Sequence, residues 1–321
     1  MKRATLVLAC LVLASPLLAS KPRRFPANAP VGAPVVHTIA GSPLNIDIGD
    51  DTSMQVYNTN VPGTGQFFPP DCTPGTQTAD SGIFLATGGI VYGPDFNNHP
   101  CGSASNSYTP WVPISFSPVT GTGASGDPFT EVIVVQAAAF QVTETITYVN
   151  GASVANITLS ITQVAGAAPS GGIAFNAFIG ADLFLADNDA GFPFATPPTA
   201  SGSHGASSDC STQLQYTISM LGTTPATHFS ANGFGTVWDE ISANALSDSV
   251  APGCLDDGAA LQWNEVFGGT PVNINTGVSF TGQAVPAGAV VPALSTKGLV
   301  ALIALLALVG YVLARRTSLG A

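Results

Sequence analysis

Positive charge is confined to the two ends of this 321-residue chain. All eight Lys and Arg lie outside residues 25–296, whereas all nineteen Asp and Glu lie inside that interval. The interval therefore cannot form a salt bridge that uses Lys or Arg. A carboxylate that folding buries there must be hydrogen-bonded, protonated, bound to a metal ion or placed at a sheet edge.

The same charge distribution excludes some classes of partner. Nucleic-acid binding depends on Lys and Arg that neutralise phosphates, and anionic lipid repels an acidic surface. We therefore expect no nucleic-acid partner. An acidic body suits solubility outside the cell or the binding of cations.

The N-terminus has the pattern of a secretory signal peptide over residues 1–20. Met1-Lys2-Arg3 precedes a short apolar run that ends near Ala19 and Ser20. A lipoprotein signal at Cys10 and a retained N-terminal helix are the alternatives. A Pro-rich linker follows over 21–34, and then an acidic body over 35–285, long enough for one large or two small domains.

The last segment, 286–321, consists of a short motif, an apolar run and a basic tail. Residues 299–314 are almost wholly apolar and predict a transmembrane helix, and the positive-inside rule places Arg315-Arg316 in the cytoplasm. The motif residues are Val291, Pro292, Ala293, Leu294, Ser295 and Gly298.

These three parts resemble the bacterial IPTL-CTERM sorting signal, a relative of PEP-CTERM. Pro292, Leu294, Ser295 and Gly298 match its motif. The resemblance implies an exported bacterial protein whose partners are the membrane, through the C-terminal helix, and a sorting protease. It implies a membrane-anchored, cell-surface or extracellular location, and it implies no activity for the body.

The body has the composition of a β-protein with many turns, because it is rich in Gly, Pro, Thr, Val and Ala and has few charges. We predict a mainly β fold: an antiparallel β-sandwich body between the N-terminal signal helix and the C-terminal transmembrane helix. Prolines predict a loop over 102–128. The predicted strands cover residues 35–40, 44–48, 54–57, 82–85, 89–92, 131–135 and 173–185.

The clearest local signal is Asn150-Gly151, which predicts a hairpin with a type I′ turn. A two-residue loop pairs Val149 with Ala152 and therefore Ile146 with Ala155. One face of the hairpin is then apolar and the other rich in hydroxyl groups, as a sheet with one buried side requires. Glu144 falls on the apolar face, and we expect it at an edge or rim.

The densest group of oxygen ligands is formed by Asp182, Asp187 and Asp189. Asp-x-Asp-x-Gly occurs in calcium loops because alternate side chains converge while Gly permits the turn. We predict a Ca²⁺ site at these three residues, with an ordinary turn as the alternative. It is not an EF-hand, because Pro198 replaces the closing glutamate. Two weaker versions of the pattern are Asp256-Asp257-Gly258 and Asp50-Asp51.

Catalytic signals are sparse. The four histidines lack metal-ligand spacing, and no Gly-x-Ser-x-Gly elbow accompanies them. Asp239-Glu240 is a carboxylate pair of the kind that a glycosidase uses. Val237, Trp238 and Ile241 have helical spacing, however, and indicate that the pair lies on the polar face of a short helix.

Four cysteines remain after signal removal: Cys72, Cys101, Cys210 and Cys254. An even number in an exported chain predicts two disulfides. Three pairings are possible, and Cys72–Cys101 with Cys210–Cys254 joins those nearest in sequence.

The sequence therefore predicts a non-enzymatic bacterial protein of the cell surface or extracellular matrix. The alternative is a carbohydrate-binding or carbohydrate-active β-sandwich, whose aromatic contacts would come from Trp111, Trp238 and Trp263. Aromatic side chains along an acidic groove favour this alternative, and buried tryptophans favour a structural role. The glycan or surface partner is left open.

Overall fold

The computed structural model describes residues 33–104, 108–164 and 172–281. The predicted signal peptide, most of the linker, the sorting motif and the C-terminal apolar run lie outside the described residues. Among the described residues, no helix is long and apolar enough to cross a membrane.

Within these ranges the chain is mainly β, with eighteen strands, one α-helix and one 3₁₀ turn. The first nine strands are β1 (Val36–Ile39), β2 (Leu44–Gly49), β3 (Met54–Asn58), β4 (Ser81–Thr87), β5 (Ile90–Gly93), β6 (Thr109–Pro110), β7 (Val112–Phe116), β8 (Phe129–Ala137) and β9 (Phe140–Tyr148). The others are β10 (Val154–Gln163), β11 (Ile173–Asp182), β12 (Ala190–Thr196), β13 (Ala200–Ala206), β14 (Gln213–Leu221), β15 (His228–Gly233), β16 (Ser249–Val250), β17 (Leu255–Phe267) and β18 (Val272–Thr281). The helix α1 is Phe234–Ser242, and the 3₁₀ turn is Phe96–Asn98.

The described strands form two sheets. β1, β2 and β3 form a three-stranded sheet, and the others join one fifteen-stranded sheet in the order β6-β5-β4-β11-β17-β12-β13-β14-β18-β10-β9-β8-β7, with β15 and β16 attached beside β17. Its outermost strands, β6 and β7, are separated in the chain by Trp111 alone. The two edges of the sheet therefore lie close together, and the sheet curves into a near-barrel.

The prediction of a mainly antiparallel β-protein is confirmed. Only the pairs β5–β6 and β15–β16 are parallel among the described strands. The predicted sandwich needs a refinement, because the layers are parts of one continuous curved sheet.

The predicted loop over 102–128 is wrong in part, because it contains β6 and β7. Pro110 and Pro113 suggested a loop, since proline cannot donate a ladder hydrogen bond. Both lie in strands at an edge of the sheet, where one side of the strand needs no such bond.

The hairpin of β9 and β10 turns at Asn150-Gly151, as predicted. The Ala152 N–H donates to the Val149 carbonyl at 3.0 Å. Gly151 has a φ of +87°, but Asn150 does not have a positive φ, so the predicted turn type is wrong. Ile146 pairs with Ile157 rather than with Ala155. The shift of two residues preserves the faces, because side chains alternate with a period of two.

The core has two parts, and β11 contributes to both. Ile179 belongs to the main cluster, which contacts both sheets, whereas Phe178 belongs to a smaller cluster beneath α1. Val237 and Ile241 are the buried residues of α1, so the predicted helix is confirmed. The helix packs against one face of β11 and β17, and its first residues lie over Gly258 of β17.

Two disulfides are present, as predicted. Cys72 is bonded to Cys101 with Cα atoms 5.4 Å apart, and Cys210 to Cys254 with Cα atoms 5.8 Å apart. Both bridges agree with export to an oxidising compartment.

Candidate functional site

Three aspartates meet at one end of the large sheet. Asp182 is the last residue of β11, Asp256 is the second residue of β17, and Asp189 immediately precedes β12. The strand pairing brings them together, because Asp182 pairs with Gly258 and Ala190 pairs with Asp256. We call Asp182, Asp189 and Asp256 the acidic cluster.

The carboxylates of the acidic cluster converge on one point. One oxygen from each of the three residues lies within 4.8 Å of the other two. Asp182 is only 2% exposed, and Asp189 and Asp256 are half-buried. Oδ1 of Asp182 and Oδ1 of Asp189 have no hydrogen-bond partner. The cluster is therefore closed on the Asp182 side and open on the other.

The environment of the acidic cluster disfavours three negative charges. Burial raises the pKa of Asp189 to about 6. Burial, together with the charge of Asp189, raises the pKa of Asp256 to about 7. Burial and then the charge of Asp256 raise the pKa of Asp182 well above its usual range. The described residues include no Lys or Arg, so relief must come from protons or from a bound cation.

A fourth aspartate lies beside the cluster on the same strand. Asp257 is buried, its Oδ2 has no hydrogen-bond partner, and burial raises its pKa to about 8. Its main-chain carbonyl accepts the Leu183 N–H at 2.9 Å, which fixes the chain directly after Asp182. Gly191 is required here, because a Cβ would lie 2.2 Å from Ser203 Oγ and 2.8 Å from Asp257 Oδ2.

Asp80, just before β4, holds Asp182 from the other side. Its carbonyl accepts the Asp182 N–H at 2.9 Å. The Asp80 carboxylate accepts the Ser103 N–H at 3.0 Å, the Ser103 hydroxyl at 2.5 Å and the Ala104 N–H at 2.7 Å. The Asp80 carboxylate is therefore satisfied by protein donors, and only its main-chain carbonyl holds Asp182.

Three aromatic residues, Phe234, Phe68 and Phe184, lie close to the acidic cluster along the main chain. Gly233 pairs with Asp257, and α1 begins at the next residue, Phe234, which is 39% exposed. The Cα of Phe234 would lie 3.1 Å from a Cβ on Gly258, the residue that pairs with Asp182. On another side, the Phe68 N–H donates to the Asp182 carbonyl at 3.1 Å. The half-buried rings of Phe68 and Phe184 lie 6.5 Å apart. Sequence reasoning missed Phe234, whose only signal is an apolar residue at the exposed start of a short helix.

The predicted calcium ligands are brought together only in part. Asp182 and Asp189 belong to the acidic cluster, but Asp187 does not. Ala186 and Asp187 both have positive φ, at 59° and 62°, and this turn leaves Asp187 exposed. The third member of the acidic cluster is Asp256. It comes from one of the two weaker motifs, and strand pairing joins it to a segment far earlier in the chain.

The tryptophans do not line an acidic groove. Trp111 is 4% exposed and donates its indole N–H to the Ile83 carbonyl at 3.1 Å. Trp263 is 1% exposed and donates to the Thr224 carbonyl at 2.9 Å. Trp238 packs its ring 5.8 Å from the ring of Phe84. Trp111 and Trp263 therefore have the burial that favours a structural role, and the prediction that the tryptophans contact a sugar is wrong.

Asp239-Glu240 lies on α1, as expected for the polar face of a helix. Asp239 is exposed, and the carboxylate of Glu240 accepts the Ser247 N–H at 3.3 Å. Neither residue belongs to the acidic cluster. The structure therefore gives this pair no catalytic partner among the described residues.

A second buried aspartate has a complete set of partners. Oδ2 of Asp51 lies 2.6 Å from His99 Nε2 and accepts the Asp95 N–H at 3.0 Å. Its Oδ1 accepts the Ser53 hydroxyl at 2.5 Å. Burial alone would raise the pKa of Asp51, but the charge and hydrogen bond of His99 lower it to about 2. Burial lowers the pKa of His99, but Asp51 more than offsets this and raises it.

Glu144 has neither a histidine counter-charge nor a hydrogen-bond donor beside it. It lies in β9 between Ile133 of β8 and Leu159 of β10, so the predicted edge or rim position is wrong. The residue is fully buried, and neither carboxylate oxygen has a hydrogen-bond partner. Burial, followed by the charge of Asp51, raises its pKa well above the usual range. Burial without a donor or a counter-charge therefore favours the neutral form of this group.

No family model matches the chain, and no curated protein matches it. Weak likenesses exist among solved structures. A bacterial glucoamylase complexed with acarbose is 10% identical at a TM-score of 0.47, over 82% of this chain and 34% of that one. A protein assigned as an aldose 1-epimerase from Escherichia coli K12 is 10% identical at 0.37, over 77% and 98%. One assigned as a kojibiose phosphorylase from the human microbiome is 8% identical at 0.33, over 78% and 34%.

The predicted role does not agree with these likenesses. The three proteins are carbohydrate-active by name, which disagrees with the prediction of a non-enzymatic surface or matrix protein and agrees better with the alternative. This chain spans about a third of the length of the glucoamylase and phosphorylase chains. With TM-scores below 0.5, none of the likenesses by itself carries an argument about the role, the residues or the mechanism of this chain.

Proposed function

We propose that the body is a carbohydrate-binding or carbohydrate-active protein whose sugar site is the open side of the acidic cluster. The observation that carries this proposal is that α1 begins with the exposed Phe234 next to Gly258, the partner of Asp182, while the carboxylates of Asp189 and Asp256 are half-buried. Carboxylate oxygens accept hydrogen bonds from sugar hydroxyls. An aromatic ring supplies the apolar surface on which the C–H face of a sugar ring packs.

The charge of the body narrows the class of sugar. The described residues contain no Lys or Arg to pair with a sulfate, phosphate or uronate group. The acidic cluster would also repel such a group. We therefore propose a neutral glycan as the ligand.

Binding and cleavage make different demands on this site. Hydrolysis of a glycosidic bond uses two carboxyl groups that flank the bond. Asp182 is too deeply buried for this role, which leaves Asp189 and Asp256 as the pair. A screen for released reducing ends therefore decides between a binding protein and a glycosidase.

The test is a glycan array with the full-length protein, followed by titration of the best neutral glycan. We expect Phe234→Ala to weaken binding roughly tenfold or more, which corresponds to about 1.4 kcal/mol. Val266→Ala is the matched control, since Val266 is an exposed apolar residue near the far end of β17, 60% exposed. Failure of the wild type to bind any glycan, or equal binding by the Phe234→Ala variant, would contradict the proposal.

We also propose that the chain is exported and that its C-terminal helix anchors it in the membrane or is removed by a sorting protease. The two disulfides support export, and the terminal sequence patterns support the route. Mass spectrometry of the protein from native envelope identifies both termini and tests this proposal. Sorting predicts loss of residues 299–321, and a permanent anchor predicts that they remain. Four free thiols would contradict export.

A further inference from the structure

We propose that the acidic cluster is a calcium site with Asp182, Asp189 and Asp256 as its protein ligands. This goes beyond the carbohydrate proposal and does not depend on it, because cation binding is measured without a glycan. Three separate strand ends deliver the three carboxylates to one point. Ligands on paired strands are held more rigidly than ligands on a single loop.

The first argument is the state of Asp182. It is 2% exposed, its Oδ1 has no hydrogen-bond partner, and its carboxylate lies within 4.8 Å of those of Asp189 and Asp256. A buried ionised carboxylate without partners is strongly unfavourable. The chain satisfies the neighbouring Asp80 with three protein donors, yet it gives Asp182 Oδ1 none. A cation supplies what is missing.

The second argument is the chemistry of the donor set. All three ligands are carboxylate oxygens, which suit a hard cation and not Zn²⁺ or Cu⁺, for which His or Cys ligands are expected. The nearest cysteine in sequence, Cys254, is in a disulfide and cannot ligate. Mg²⁺ is usually held by one or two carboxylates and several waters, whereas Ca²⁺ accepts six to eight oxygens from several carboxylates. Three converging carboxylates therefore favour Ca²⁺.

The third argument is the open side of the cluster. Asp189 and Asp256 are half-buried, so a bound ion reaches solvent there. Three carboxylates leave coordination positions of Ca²⁺ for water. If the proposed function is right, sugar hydroxyls take these positions, and glycan binding then depends on calcium.

The test is isothermal titration of CaCl₂ into the full-length protein after treatment with chelator. We expect one Ca²⁺ per chain for the wild type and loss of binding, by roughly tenfold or more, in Asp256→Asn and Asp182→Asn. Asp187→Asn is the matched control: it makes the same charge change at an exposed residue five positions after Asp182. It should bind Ca²⁺ as the wild type does.

The outcomes separate cleanly. Absence of Ca²⁺ binding by the wild type, or equal loss in Asp187→Asn, would overturn the proposal, and so would equal affinity for MgCl₂. Asp182 is deeply buried, so circular dichroism must show that its variant folds. The half-buried Asp256 gives a second variant if it does not. Calcium binding without glycan binding would overturn only the proposed function, and glycan binding in chelator only the calcium dependence.

Discussion

Asp51 and Asp182 are both buried aspartates, yet their surroundings differ completely. Asp51 has His99 at 2.6 Å and donors from Ser53 and Asp95, and its pKa falls to about 2. Asp182 has other carboxylates as its neighbours, and its pKa is raised well above the usual range. These are two of the ways in which this chain, without Lys or Arg in its body, buries a carboxylate: with a histidine and hydrogen-bond donors, or in a group of carboxylates.

The difference identifies which site is structural. Around Asp51 the chain provides its own counter-charge and hydroxyl donors, so this region needs no external ligand. Around Asp182 the chain concentrates negative charge and leaves oxygens unpartnered, which costs stability without a cation. Each region also has its own disulfide: Cys101 follows His99 by two residues, and Cys254 precedes Asp256 by two.

The largest effect should come from breaking the Asp51–His99 pair. His99→Ala leaves the buried Asp51 without its main partner, and we expect a loss of about 3–5 kcal/mol of unfolding free energy. His228→Ala is the control, because the His228–Asp248 pair is also a histidine–carboxylate contact, at 2.7 Å, but is partly exposed. Such pairs contribute about 0–1 kcal/mol. Urea unfolding of both variants measures the difference.

The pH dependence of this pair has a definite sign. The lowered pKa of Asp51 gives stability that is present above its ordinary value of 3.8 and lost as the pH falls through about 2. The raised pKa of His99 gives stability that is present below its ordinary value of 6.5 and lost as the pH rises through the folded-state pKa. The difference between wild type and His99→Ala should therefore be greatest between these two ordinary values. A constant difference across that range and above it would contradict the pairing.

The second effect concerns the disulfides and sharpens the comparison. In the chain-entropy model each bridge contributes about 3–4 kcal/mol for loops of this size. Replacing Cys72 and Cys101 by Ser should lower stability and leave calcium affinity unchanged. Replacing Cys210 and Cys254 should lower both, because Cys254 fixes the start of β17 near Asp256. Calorimetry with CaCl₂ on the two double variants checks this, and equal calcium affinities would contradict it.

Much of the fold could be predicted because its signals are local. Alternation of apolar and polar residues located the strand near 44–48, and Asn150-Gly151 located a turn. The strands near 131–135 and 173–185 were predicted because they flank this hairpin in the chain. The register differs by two residues because Ala152 and Ser153 lie between the turn and the start of β10. The dipeptide alone does not determine where pairing resumes after the turn. The prolines wrongly predicted a loop over 102–128, because whether a strand lies at the edge of a sheet depends on the whole sheet.

The site could be predicted only in part for the same reason. Asp182 and Asp189 share one short segment, so their pattern is visible in sequence. Asp256 reaches the cluster through the pairing of β17 with β12. The pairing of β17 with β15 brings Phe234, at the start of α1, next to β17. Both pairings are long-range contacts. A local motif favoured Asp187, and the left-handed turn at 186–187 turned that residue outward instead.

The third effect concerns Asp182→Asn, which should be more stable than the wild type in chelator and less stable in calcium. In chelator, Asp182→Asn removes one of the mutually repelling carboxylates and should stabilise the protein by about 1 kcal/mol. With Ca²⁺ at a hundredfold excess over Kd, the wild type gains about 2.7 kcal/mol that the variant lacks. The order of melting temperatures should therefore invert between chelator and calcium. The same order under both conditions would show that the cluster holds protons and no cation.

The smallest effect tests the third way in which this chain buries a carboxylate. Glu144 has no donor and no counter-charge, and its pKa is raised well above 4.5 by burial and then by the charge of Asp51. The folded state therefore keeps a proton that the unfolded chain releases above that ordinary value, so the unfolding free energy falls as the pH rises. Glu144→Gln keeps the shape and removes the titration, and the variant should gain about 1.4 kcal/mol relative to the wild type over the range of one pH unit above the ordinary value of 4.5. Urea unfolding across this range measures the gain, with Asp239→Asn as the exposed control that should show none. A gain that does not change with pH would mean that Glu144 is ionised in the folded protein and has a partner that its surroundings do not reveal.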